Sequence, residues 1–72
     1  GDNTSAAGHF QQALSKSPRN TEAHFGLGYA QEQLGKKDTA INHYCQALKY
    51  GPTTDTKREA EGRLRVLGAS CD

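Results

Sequence analysis

At 72 residues with 33% hydrophobic content, no Trp and no Met, the chain can form one small domain with a thin core; at this size a core rarely supplies more than about 3–5 kcal/mol. A net charge of +1 argues against a nucleic-acid-binding surface. No run of about 18 apolar residues is present, and the opening Gly-Asp-Asn-Thr-Ser lacks the charged and apolar regions of a signal peptide, so neither membrane insertion nor export is predicted and a cytoplasmic setting is favoured over a secreted or periplasmic one.

The first helix is predicted over 3–17, where Ala6, Phe10, Ala13 and Leu14 recur at the helical period. A second follows over 21–34 and ends at Gly35. The third, over 38–50, carries Ala40, Ile41, Tyr44, Ala47 and Leu48 on one stripe and stops before Gly51-Pro52, since proline cannot continue a helix. The fourth covers 56–67 and ends at Gly68. Asp38 and Asp55 are the expected N-caps, Thr56 with Glu59 is an expected capping box, and Gly35, Gly51 and Gly68 suit left-handed positions after the helices. The fourth helix surrounds an apolar strip of Ala60, Leu64 and Leu67 with charge, and Glu59–Arg63 and Glu61–Arg65 have the spacing of in-helix ion pairs.

Ala13, Leu14 and Pro18 superpose on Ala47, Leu48 and Pro52 at a shift of about 34 residues, and the same shift carries Ala6 onto Ala40, Phe10 onto Tyr44 and Gly28 onto Gly62. On Leu27-Gly28, Ala40, Tyr44, Ala47 and Pro52, the chain resembles the tetratricopeptide repeat family; His24 and Gln31 depart from it, standing where Trp and an aromatic are usual. The resemblance implies an all-α helical hairpin array, an α-solenoid of about four helices in a single domain over 1–72. Residues 1–20 would be the second half of a repeat, 21–54 a complete repeat, and 55–72 a capping helix and tail. Gly28 and Ala40 would be small because paired helices approach closely there.

By the same resemblance, function resides in a concave groove that binds a peptide segment or helix of a protein partner, with Glu22, Phe25, Gly26, Tyr29, Glu32 and Gln33 facing it. Phe25 and Tyr29 are four apart and share a helix face, which suits a pocket for an anchor side chain; the plainer alternative is that Phe25 packs between repeats and Tyr29 covers a neighbouring helix. The second functional reading is a structural element that forms homo-oligomers by helix exchange or repeat stacking. Family members that clamp a chaperone's C-terminal carboxylate use cations on groove-facing turns. Phe25, Gly26, Tyr29, Thr56 and Ala60 stand at those positions and supply none, which disfavours that partner.

Catalysis has no visible basis: no phosphate loop, no nucleophile elbow and no recognisable triad occurs, so no enzyme and no cofactor is expected. His43 and Cys45 point in different directions, His9 and His24 sit on different helices, and no paired ligand spacing exists, so no metal site is expected. Cys71 follows the fourth helix, which should pack near the third, so a bond to Cys45 is available in an oxidising compartment. Asn3-Thr4-Ser5 has the form of a glycosylation sequon.

Overall fold

In the computed structural model, which describes residues 2–71, four helices run in chain order: α1 (Asn3–Lys16), α2 (Thr21–Gln33), α3 (Lys37–Lys49) and α4 (Thr54–Val66). The Gly1 end of the first half-repeat and the terminal Asp72 lie outside the described residues. Each helix packs against the next as an antiparallel hairpin, and α4 also touches α2 lightly, so the array turns rather than closing into a bundle.

The helix starts differ from the expected ones. Asp2 caps α1, accepting from the Thr4 and Ser5 N–H groups at 3.0 and 3.2 Å, and Asn20 caps α2 by accepting from Ala23 N–H at 3.1 Å. Asp38 and Asp55 are not caps. Lys36 holds the cap position of α3 without a side-chain bond, and Thr53 caps α4, taking the Thr56 N–H at 3.2 Å. Both aspartates fall one position inside the helix, where a carboxylate complements the positive helix end without capping it. The Thr56–Glu59 box does not form either, because Thr56 is already helical and its hydroxyl accepts from Thr53 Oγ1 at 3.0 Å.

The helix ends follow the sequence closely. Gly35 and Gly68 take φ of 82° and 68°, and the chain reverses through Lys36 N–H to Gln31 C=O at 2.8 Å and Ala69 N–H to Leu64 C=O at 2.9 Å. Two helices thus finish in the same six-residue reversal that glycine permits and a β-carbon disfavours.

The core lies where α2, α3 and α4 meet: Ala23, Leu27, Ala30, Ala40, Tyr44, Ala47, Ala60 and Leu64 are buried, whereas α1 buries no residue fully. Gly28 explains the closeness of α2 and α3. A β-carbon there would sit 3.0 Å from the Tyr44 ring and 3.2 Å from the Ala40 carbonyl oxygen, tighter than packed atoms tolerate without shifting. After α4 the chain turns back onto α3, where Leu67 and Ala69 pack on the core and Cys71 is disulfide-bonded to Cys45 with their Cα atoms 5.4 Å apart.

Candidate functional site

The helix α2 projects Glu22, Phe25, Gly26 and Tyr29 along one stripe, the i, i+3, i+4, i+7 spacing of a single helix face. Asn3, Ala6 and Phe10 of α1 and Thr56 and Glu59 of α4 complete a groove of about 390 Å³ that these side chains line together. Gly26 gives the groove its floor. A β-carbon at that position would lie 2.3 Å from the Phe10 ring, so glycine is what lets this ring lie flat against the α2 backbone.

The two aromatic candidates behave differently. Phe25 is half-buried, packs on the core and sets its ring 5.6 Å from that of Tyr44, while Tyr29 remains 46% exposed. Phe25 therefore serves both the core and the groove, and Tyr29 is the aromatic a guest could cover. Glu32 and Gln33 do not line this groove. Gln33 is exposed, and Glu32 turns to the α2–α4 seam, accepting from Tyr44 Oη at 2.7 Å and from Arg63 Nε at 3.0 Å, with a second bond from the Arg63 guanidinium to its other oxygen. Ala60, expected beside Thr56 on the groove, is instead fully buried in the core.

This seam holds a bidentate ion pair braced by a buried phenol. The Arg63 guanidinium holds the Glu32 carboxyl below the usual carboxylate range, with the Tyr44 hydroxyl adding to the effect against the cost of burial. Burial first, then the neighbouring carboxylate, pushes the Tyr44 phenol well above its ordinary value of 10.0. Among the described residues no ion pair joins Arg63 to Glu59, the partner that in-helix spacing suggests. A carboxylate already fixed by a tyrosine offers two ordered acceptors, and this geometry favours the bidentate arginine bond over a mobile surface pair.

A second polar cluster was not visible in the spacing. His24 is buried beneath α3, with its Nδ1 3.1 Å from His43 Nδ1 and its Nε2 2.8 Å from the Pro18 carbonyl oxygen. A carbonyl only accepts, so His24 donates from Nε2, and in its neutral form its Nδ1 accepts a hydrogen bond from the His43 Nδ1–H. Tyr50 stacks on the outer side of His24 with ring centroids 5.6 Å apart. Burial, then repulsion from His24, holds His43 below its ordinary pKa of 6.5. The only advance signal is that His24 occupies the position where the repeat pattern places a large buried ring.

Known proteins point the same way as the geometry. A family model described as tetratricopeptide repeat matches residues 1–55. The chain is similar to the photosystem I assembly protein Ycf3 of Synechococcus elongatus, at 32% identity over 97% of this chain and 47% of that protein. Ycf3 of a second Synechococcus strain matches with the same identity and coverage. The chain spans about half the length of these curated relatives. No solved structure matches it. Among the described residues no helix is long and apolar enough to cross a membrane.

Proposed function

This chain belongs to the tetratricopeptide repeat family, and from that premise we propose that it is a non-catalytic interaction module whose groove between α1, α2 and α4 holds a segment of a protein partner. The observation that carries this reading is the groove itself: three helices converge on an apolar floor of Phe10 and Phe25, with an exposed tyrosine at its edge. A concave apolar floor with an exposed aromatic at its rim suits an anchor side chain of a partner. Its similarity to photosystem I assembly proteins supports a role in bringing proteins together. Glu22, Phe25, Gly26 and Tyr29 form the contact surface on α2, and Glu32 and Gln33 act outside it.

Selection of a random-peptide display library on the chain tests the reading. Binders are expected to emerge whose affinity falls by more than about tenfold on Tyr29→Ala, while the melting temperature stays within the range of a surface substitution. Binders indifferent to Tyr29→Ala would place the contact surface elsewhere. Sedimentation at rising concentration addresses the self-assembly reading, which requires a dimer that Tyr29→Ala or a charge at Phe10 disrupts.

A further inference from the structure

The groove is chemically one-sided. Its lining contains two carboxylates, Glu22 on α2 and Glu59 on α4, and no lysine, arginine or histidine. Among the described residues neither carboxylate has a hydrogen-bond or ion-pair partner, in contrast to Glu32, whose charge Arg63 neutralises. The cations of α4 do not offset them: Arg63 is engaged at the seam, and Lys57, Arg58 and Arg65 do not line the groove. The chain as a whole carries a net charge of +1, so the acidic lining is a property of the groove and not of the composition. Low-dielectric walls concentrate such a field.

We propose, resting on the groove reading above, that the guest is a basic-apolar segment of a partner protein, in which an apolar anchor seats on Phe10 and Phe25 and a neighbouring lysine or arginine reaches Glu22 or Glu59. The stem of a lysine or arginine is aliphatic and lies along an aromatic face while its charged head seeks a carboxylate, a combination that Phe25, one turn from Glu22, provides. The span from Glu22 to Tyr29 is seven residues of helix, about 10 Å, which matches about three residues of extended guest. Anchor and cation therefore fall within about three residues of each other. An acidic guest would meet two like charges that no side chain pairs and is selected against.

The peptides recovered from the random-peptide display library supply the test. They are expected to be enriched in Lys and Arg over Asp and Glu, next to a large apolar residue. One such peptide is then titrated calorimetrically into the wild-type chain, the Glu22→Gln/Glu59→Gln variant and Tyr29→Ala, at low and high salt. The double variant is expected to lose about tenfold in affinity at low salt and little at high salt, with its melting unchanged because both carboxylates are exposed. Peptides rich in Asp and Glu, or binding untouched by the double substitution, would overturn the charge inference while a Tyr29→Ala effect preserved the groove reading. Failure to recover any peptide, or binding that survives Tyr29→Ala, would overturn both.

Discussion

The central hairpin and the last helix carry the same repeat positions and put them to opposite uses. Gly28 on α2 lies against the Tyr44 ring, yet its counterpart Gly62 on α4 has nothing within 4 Å of where a β-carbon would stand. Leu27 is 1% exposed and His24 is 4% exposed, whereas Glu61 and Arg58, one repeat later, face solvent. The same contrast runs the other way: Tyr44 is fully buried, and Phe10, one repeat earlier, is only half covered. A repeat position has a mechanical role only where a neighbouring helix is present to receive it.

The contrast is open to attack by substitution. Tyr44→Ala should cost about 3–5 kcal/mol, enough to unfold a domain of this size, and Phe10→Ala clearly less, about 1–2 kcal/mol, since its ring is half exposed; equal losses in urea melts would erase the distinction. Next in size, Cys71→Ser or reduction should cost about 3.5 kcal/mol, the loop-closure value for the 26-residue separation of the pair; calorimetry of oxidised and reduced chain measures it. The glycine pair gives the sharpest comparison at lower amplitude. Gly28→Ala should destabilise by about 1 kcal/mol because overcrowding against Tyr44 outweighs the gain in helix propensity, while Gly62→Ala should stabilise by up to about 1 kcal/mol. Like signs for the two would show that α4 packs as α2 does.

The smallest effect concerns pH. His43 is favoured neutral in the fold, so below its ordinary pKa of 6.5 the unfolded chain binds a proton that the native chain resists. Stability should hold above that value and fall on acidification through it, levelling off below the lowered native pKa. In His43→Gln the fall over this interval should shrink in chemical denaturation curves.

Much of the fold was legible because the period names pairs of positions that must do related work. Gly28, Ala40, Tyr44 and Ala47 all fell where the register put them, and the three left-handed glycines were readable one by one because that backbone conformation is a local property. The caps were misread for the opposite reason. Asp38 and Asp55 are better capping residues than Lys36 in isolation, but the position at which the chain turns into the helix is fixed by packing of the preceding loop. The site divides similarly. Glu22, Phe25, Gly26 and Tyr29 share a stripe that periodicity displays, whereas the His24–His43 contact joins residues 19 apart and the Arg63–Glu32 bond residues 31 apart, across helices whose rotation no spacing rule supplies.

The bond from Arg63 to Glu32 has a bearing on recognition that reaches past stability. It joins two of the helices that line the proposed groove, and Tyr44 braces it from behind. On the proposed groove reading, one carboxylate that does not line the groove ties its two walls together. Substitutions at Glu32 would retune which shapes are admitted without altering a single atom they touch.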